Sequence, residues 1–125
     1  MIQYVIAHLF GPSRGIDHFH TGSRYFGDST EASDWDWVLH VNESDCFDEL
    51  AGKLAELGFE PCHNPYTDDK HLIVRRASDN LNLIFTNSFE KYQMWELCTF
   101  VSTQLKLSKD QRKVLFSAMV DDKDE

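Results

Sequence analysis

Runs of residues with strand character predict a β-sheet. Four such runs, at residues 16–21, 35–41, 71–76 and 81–86, are rich in β-branched and aromatic side chains. The run at 35–41 has the strongest strand character of the four. Residues 77–80, with the sequence Ala-Ser-Asp-Asn, separate the last two runs and are typical of a hairpin turn.

Apolar residues that recur every three or four positions predict helices elsewhere in the chain. Ser44 is placed to cap the first helix, and Gly58 is placed to end it. Asn87 and Ser108 open two further helices, because each is followed three residues later by a Glu or Gln that can complete a capping box. The residues expected to face the core are Phe47, Leu50, Ala51, Leu54 and Leu57 in the first helix, Met94, Leu97, Cys98, Val101 and Leu105 in the second, and Val114, Leu115, Ala118 and Met119 in the third.

The order of these elements predicts the class of fold. Met1 to Phe10 is largely apolar and forms a helix or a strand that Gly11-Pro12 ends, and residues 59–69, with two prolines, form a loop with some extended structure. Strands then precede and alternate with helices, which predicts an α/β (α+β) fold with a mixed sheet packed against helices. We expect one domain over residues 1–120 and a disordered acidic tail at 121–125.

Composition and charge exclude several classes of protein. The net charge is −9, with 12 basic residues scattered among 21 acidic ones, so direct binding of duplex nucleic acid is not expected to be the main role. No apolar run approaches the roughly 20 residues that span a bilayer, and no basic segment opens a signal peptide. The three cysteines suggest no disulfide framework and no metal-binding spacing. These features predict a cytoplasmic protein with reduced thiols.

A glycine-serine turn and a pair of aspartates form the candidate site. Gly22-Ser23 follows a predicted strand, and a turn of this kind can hold anionic oxygen with its backbone N–H groups and the serine hydroxyl. After ten intervening residues, Asp34-Trp35-Asp36 opens the strongest strand. Residues two apart on a strand share a face, so the two carboxylates are expected to lie together in a cleft, with Trp35 and Trp37 buried on the opposite face. Paired carboxylates favour a hard cation such as Mg²⁺.

This layout resembles the nucleotidyltransferase superfamily, whose fold is that of DNA polymerase β. The residues that carry the resemblance are Gly22, Ser23, Arg24, Gly27, Ser33, Asp34 and Asp36. Residues 89–116, with Trp95, Leu105-Lys106-Leu107 and Asp110-Gln111-Arg112, are more loosely similar to small phage-encoded proteins described as nucleotidyltransferases. If the chain is phage-encoded, it acts in the host cytoplasm.

The resemblance implies roles for these residues. Gly22, Ser23 and Arg24 would bind the phosphates of a nucleoside triphosphate, and Asp34 and Asp36 would hold Mg²⁺ or Mn²⁺. A third catalytic acid is expected at the start of the strand at 81–86, where this chain has Asn82. A neutral amide cannot act as a general base, and losing such a base costs about 10²–10⁴-fold in rate.

Other side chains offer alternatives at the same site. Asp79 replaces the missing acid if the hairpin register differs, and Asp17 is a more distant substitute. Arg75 and Arg76, like Arg24, are candidates to steer a triphosphate, although an ordinary surface role is equally consistent with their positions. His18 and His20, with Cys62 or His63, form a candidate metal set, but ordinary partly buried histidines explain this spacing better.

Two hypotheses follow from the sequence. The first is a nucleotidyltransferase-like protein that binds Mg-NTP and transfers a nucleotidyl group to a hydroxyl of a protein, an RNA or a small molecule. Because the domain is short, a protein partner or a homodimer would complete its acceptor site. The second is a catalytically inactive interaction protein that keeps the nucleotidyltransferase fold, such as a phage protein acting on a host factor. Asn82 favours the second hypothesis, and the Gly22-Ser23 turn with its two aspartates favours retained nucleotide binding.

Overall fold

The computed structural model describes residues 2–62 and 68–120. Within these ranges the prediction of a mixed α+β fold is confirmed, and the segment at residues 2–10 is a helix. The expected acidic tail at 121–125 lies outside the described residues, and so does His63. In chain order, the elements are α1 (Ile2–Phe10), β1 (His18–Thr21), α2 (Ser23–Phe26), β2 (Trp35–His40), α3 (Phe47–Glu56), β3 (Glu60–Pro61), β4 (His71–Arg76), β5 (Leu81–Thr86), α4 (Phe89–Gln104) and α5 (Lys109–Met119).

The strands form one mixed sheet in the order β1-β2-β5-β4-β3. β2 and β5 are parallel, and the other neighbouring strands are antiparallel. The predicted hairpin between β4 and β5 is confirmed, and Asn80 adopts the positive φ of 57° that its turn needs. The register places Thr21, Asp36, Asn82 and Arg75 side by side on four adjacent strands. One row across the sheet therefore contains both Asp36 and the position of the expected third acid.

Helices cover both faces of the sheet. One face packs against α1 and α3 through Leu39, Leu83 and Phe85, which are fully buried. The other face packs against α4 and α5 through Val38, Ile73 and Ile84. Because side chains alternate along a strand, the face of Val38 and Ile84 is also the face of Asp36 and Asn82. The site therefore lies under the two C-terminal helices.

The helix starts differ from prediction at two of three positions. α3 begins after Cys46 and not after Ser44, because Asn42 and Asp45 form a turn that the Asp45 carboxylate closes by accepting a bond from Asn42 N. The cap of α4 is Ser88, whose Oγ accepts a bond from the N–H of Lys91. The capping box that opens α5 at Ser108 is confirmed.

The predicted core stripe of α4 is wrong in part. Leu97 and Leu105 are 46% and 66% exposed, whereas Tyr92 and Trp95 are buried together with Cys98. The helix is apolar on two sides, and polar bonds select the side that packs: Trp95 Nε1 donates to His71 Nε2 at 3.1 Å. The predicted stripe of α5 is also wrong in part. Leu115 packs against the core as expected, but Val114, Ala118 and Met119 are exposed, and Arg112, Phe116 and the C-cap residue Val120 are buried instead.

The structure bears on two expectations from composition. In the part of the chain it describes, no helix has the length and apolar character to cross a lipid bilayer. Cys46 and Cys98 are free thiols.

Two leucine truncations test the observed facing of the helices. Leu54→Ala in α3 should lower the free energy of unfolding by about 2–5 kcal/mol, because Leu54 is fully buried. The same substitution at Leu97 in α4 should change it by less than about 1 kcal/mol, because Leu97 is half exposed. Urea denaturation measures both. Equal losses would show that Leu97 faces the core after all.

Candidate functional site

The chain turns sharply where β1 ends. Gly22 has φ 84° and ψ −176°, and its carbonyl oxygen accepts bonds from Tyr25 N at 2.9 Å and Phe26 N at 3.0 Å, which starts the single turn of α2. A Cβ added at Gly22 would overlap the Oδ2 atom of Asp36. Glycine is therefore required here both for its dihedral angles and for the carboxylate packed against its backbone.

Asp36 is largely buried next to Asn82. Asn82 Nδ2 donates to Asp36 Oδ1 at 2.8 Å, and Asn82 Oδ1 accepts from Cys62 Sγ at 3.8 Å. Burial raises the pKa of Asp36 to about 6, the bond from Asn82 opposes this rise, and the charge of Asp34 adds to it. Among residues 2–62 and 68–120, this carboxylate is therefore held by a neutral partner and by no cationic side chain.

Asp34 lies just before β2 and is bound by an arginine. Arg75 Nε donates to Asp34 Oδ1 at 2.9 Å, and the same guanidinium donates to Asn80 Oδ1 at 2.7 Å. Asp34 and Arg75 are each about one-third exposed. The two aspartates therefore differ: Asp34 is in an ion pair, whereas Asp36 is desolvated.

A cavity of about 290 Å³ lies beside Asp36. Gly22, Ser23 and Asn82 contribute to its polar end, and Phe26, Ile84, Trp95 and Phe116 to its apolar wall. Lys109, Arg112 and Lys113 also line it, and all three lie on one side of α5 because residues three and four apart on a helix are neighbours. The cavity thus combines the Gly22-Ser23 turn and one carboxylate with three basic side chains.

Arg112 joins α5 to the loop after α2. Its NH2 group donates to both carboxylate oxygens of Asp28, at 3.0 and 2.7 Å, and its guanidinium lies 4.4 Å from the centre of the Phe26 ring. This bond lowers the pKa of Asp28 below its ordinary value. Arg112 therefore holds α2 under α5, while Lys109 and Lys113 flank the opening.

The sequence analysis did not find these three cations. The detectable signal was their spacing: Lys109, Arg112 and Lys113 share one helical face with Phe116. However, this spacing suggests a binding surface only once α5 is known to cross the end of β2.

Arg24 does not lie in the cavity. Its side chain donates to the carbonyl oxygens of Ser33 and Glu31, both at 3.1 Å, and its guanidinium stacks 4.4 Å from the Trp35 ring. Arg24 therefore shapes the loop before β2. Trp35 was expected in the core but is 44% exposed, because it lies near the edge of the sheet between Arg24 and the stacked ring of His20.

The alternative residues are also placed outside the cavity. Asp79 forms an ion pair with Arg76 at 2.9 Å on the hairpin turn. Asp17 lies at the other end of the sheet, where its carbonyl oxygen accepts from His40 N. His18 and His20 both contact the Trp37 ring. No group of three His, Cys, Asp or Glu side chains that could hold a metal ion occurs in residues 2–62 and 68–120.

The donor set fits one divalent cation and does not fit two. Mg²⁺ often binds through one or two carboxylates, with water and substrate phosphates completing its shell, and Asp34 with Asp36 meets that need. A second ion would require another oxygen ligand near Asp36. The Asn82 amide turns its N–H group, and not its oxygen, toward that carboxylate.

Comparison with known proteins gives no relative. No family model, no curated protein and no solved structure matches this chain. The geometry of the site therefore has to carry the functional argument.

The raised pKa of Asp36 should make the free energy of unfolding depend on pH. That pKa is about 6 and its ordinary value is 3.8, so between these pH values the folded state holds a proton that the unfolded chain releases. The stability that this proton contributes is therefore lost as pH rises from about 4 to 7. Asp36→Asn should therefore gain stability over the wild type across that range, by on the order of 2 kcal/mol at pH 7. Urea denaturation at several pH values measures the difference.

Comparing the wild type with Asp36→Asn cancels the contributions of histidines, which change stability with pH in the opposite direction. Burial lowers the pKa of His20 and of His71, so both histidines add stability as pH rises through their ordinary value of 6.5. Wild type and Asp36→Asn share these histidines, and the difference between the two proteins isolates Asp36. A difference that stays constant from pH 4 to 7 would contradict a desolvated Asp36.

Two glycine substitutions test the packing of Asp36 against the turn. Gly22 and Gly27 both have positive φ values, 84° and 91°, so alanine should destabilise the protein at either site, by about 1–2 kcal/mol. Nothing lies within 4 Å of a Cβ added at Gly27, whereas one at Gly22 meets Asp36. Gly22→Ala should therefore cost at least about 1 kcal/mol more in thermal unfolding. Equal costs would mean that Asp36 moves aside freely.

Proposed function

We propose that this chain is a nucleotidyltransferase-like protein that binds a nucleoside triphosphate with one Mg²⁺ ion in the cavity beside Asp36. The observation that carries the proposal is the meeting of three features in one cavity: the Gly22-Ser23 turn, the Asp36 carboxylate and the basic face of α5. Each alone is common in proteins. Their combination suits a ligand that is both strongly anionic and bound through a metal ion.

The phosphates would bind between the turn and α5. Ser23 offers a hydroxyl and a backbone N–H at the start of α2, while Lys109 and Lys113 offer positive charge from the opposite wall. Arg112 is already bound to Asp28, so it contributes charge and position more than a new bond. Phe26, Trp95 and Phe116 supply apolar surface for a less polar part of the ligand.

The metal ion would bind between the aspartates and the phosphates. Its chemistry, when bound, is to offset the negative charge of the phosphate oxygens and of the leaving pyrophosphate. Asp36 suits this role because its buried carboxylate has a raised pKa and gains from a nearby cation. Asp34 would supply the second carboxylate through Oδ2, since Arg75 Nε is bound to its Oδ1.

Transfer would require an acceptor hydroxyl to lose its proton to solvent and to attack the α-phosphorus, while the bond from the α-phosphorus to the oxygen it shares with the β-phosphate breaks and pyrophosphate leaves. The residues described here position the phosphates for such a step, and positioning with electrostatic stabilisation provides most of the catalysis in reactions of this kind. The acceptor would be a hydroxyl of a protein, an RNA or a small molecule, and a homodimer or partner protein would complete its binding surface. We place the reaction in the cytoplasm.

A second function is favoured by one observation. Asn82 donates its amide N–H to Asp36 and accepts from Cys62, so it is held as a structural residue where a transferase would carry a base. This arrangement favours an interaction protein that keeps the nucleotidyltransferase fold without transfer. Such a protein would bind a nucleotide, or a host factor if it is phage-encoded, with no chemical step.

Calorimetry with ATP, CTP, GTP and UTP, with and without Mg²⁺, tests nucleotide binding. We expect Mg²⁺-dependent binding of at least one nucleotide, and its loss in the double variant Asp34→Ala, Asp36→Ala. Lys113→Gln should weaken binding by about tenfold, since a bond to a charged group contributes on the order of 1.4 kcal/mol or more. Lys106→Gln, which changes the same charge outside the cavity, is the matched control.

The outcomes separate the two functions. If no nucleotide binds under any condition, the proposed function is wrong. If a nucleotide binds, incubation of the protein with nucleotides labelled at the α-phosphate and with cell extract distinguishes transfer from binding. Label on a macromolecule identifies a transferase, and binding without label supports the inactive form.

A further inference from the structure

Arg75 brings a fixed positive charge to the row of residues that contains the candidate site. It lies on β4 directly opposite Asn82 of β5, which in turn lies beside Asp36 of β2. Residues opposite each other on neighbouring strands share a face, so all three side chains project on the same side of the sheet. The guanidinium reaches past Asn82 to Asp34.

One carboxylate oxygen and one amide oxygen hold Arg75 in this position. Its Nε donates to Asp34 at 2.9 Å and its NH2 to Asn80 at 2.7 Å. Asn80 has a positive φ of 57° in the hairpin turn, so the turn itself places the second acceptor. A planar guanidinium with two directed bonds is a well-ordered cation.

Asn82 differs from a carboxylate in the same place by one negative charge and by the group that it turns to Asp36. Its Nδ2 atom lies 2.8 Å from Asp36 Oδ1, and its oxygen accepts from Cys62. A neutral amide nitrogen is not a metal ligand, because its lone pair is delocalised into the carbonyl group. The side chain at this position therefore stabilises Asp36 by a hydrogen bond and does not extend the set of metal ligands.

Asparagine in place of an acid at position 82 changes the net charge of this row of side chains. With an acid at position 82, the side chains at positions 34, 36, 75 and 82 would carry −2, whereas Asp34, Asp36, Asn82 and Arg75 carry −1 when both aspartates are ionised. The less negative row attracts a second divalent cation less strongly. The cation that neutralises Asp34 is part of the protein.

We infer that Arg75 is a built-in cation that takes the place of a second metal ion, so that this site binds at most one divalent ion. Arg75 then limits the number of divalent ions that the site binds, because it forms an ion pair with Asp34 and repels a divalent ion near that carboxylate. The inference rests on the proposed function for its biological meaning. Its physical content, the metal affinity of the aspartate pair, is measurable without any nucleotide.

Binding of Mn²⁺ alone, followed by the loss of the free-ion signal in electron paramagnetic resonance, tests the inference. Arg75→Gln should tighten binding of the first Mn²⁺ ion by about tenfold or more, because removing a positive charge a few ångströms from the carboxylates removes direct repulsion. Arg75→Lys, which keeps the charge, should stay within about threefold of the wild type by the same argument. The double variant Arg75→Gln, Asn82→Asp should bind two ions.

Arg76→Gln is the matched control. It removes the same charge from the next residue of β4, whose guanidinium pairs with Asp79 and contacts the Phe59 ring on the other face of the sheet. It should leave Mn²⁺ affinity unchanged. Circular dichroism shows whether each variant is folded, and an unfolded Arg75→Gln is replaced in the test by Arg75→Met, which loses the charge and keeps an unbranched side chain.

Each outcome decides the inference independently of nucleotide binding. If Arg75→Gln binds Mn²⁺ no more tightly than the wild type or Arg76→Gln, or if the wild type already binds two ions, Arg75 does not replace a metal ion. If Arg75→Gln gains affinity while no nucleotide binds in calorimetry, the inference holds and the proposed function fails. If nucleotides bind and Arg75→Gln gains no metal affinity, the proposed function holds and the inference fails.

Discussion

The contact between the Asp36 carboxylate and the backbone of Gly22 constrains the rest of this structure. It requires a residue without a side chain at the end of β1, and it fixes the pairing of β1 with β2 at Thr21 and Asp36. It also excludes water from the carboxylate, which is why the pKa of Asp36 is raised. On the neighbouring strand β5, the Asn82 amide donates one hydrogen bond to this carboxylate. Burying an acid beside a neutral partner lowers the stability of the fold.

The C-terminal helices complete what the sheet begins. α4 is anchored by Trp95 on His71, and Thr99 Oγ1 lies 2.8 Å from Thr21 Oγ1, next to the site. α5 follows antiparallel to it and carries its basic residues across the end of β2, where Arg112 holds the loop at Asp28. Although the chain is acidic, three basic side chains therefore line the cavity beside Asp36. An overall charge of −9 does not reveal this local arrangement.

Local signals predicted much of the fold and half of the site. Strand alternation, the hairpin at Asn80 and the capping box at Ser108 depend on neighbours in sequence, so the chain itself contains the information. The side of α4 that faces the core does not follow from neighbours in sequence. That helix is apolar on two sides, and the bond of Trp95 to His71 selects between them. Arg75 was a candidate for binding phosphate, and its pairing with Asp34 follows from a strand register that no local pattern specifies. Asn82 was located correctly beside Asp36, since two strong strands fixed both positions.

The parallel pairing of β2 with β5 has a kinetic consequence. Asp36 and Asn82 are separated by 46 residues, and they meet only when these two strands join at the centre of the sheet. The β4–β5 hairpin can form early because its strands are adjacent in sequence, whereas closing the longer loop is slow and entropically costly. A chain that has folded only its hairpin and helices has no cavity beside Asp36. A ligand that bound in this cavity would therefore stabilise the long-range pairing of β2 with β5.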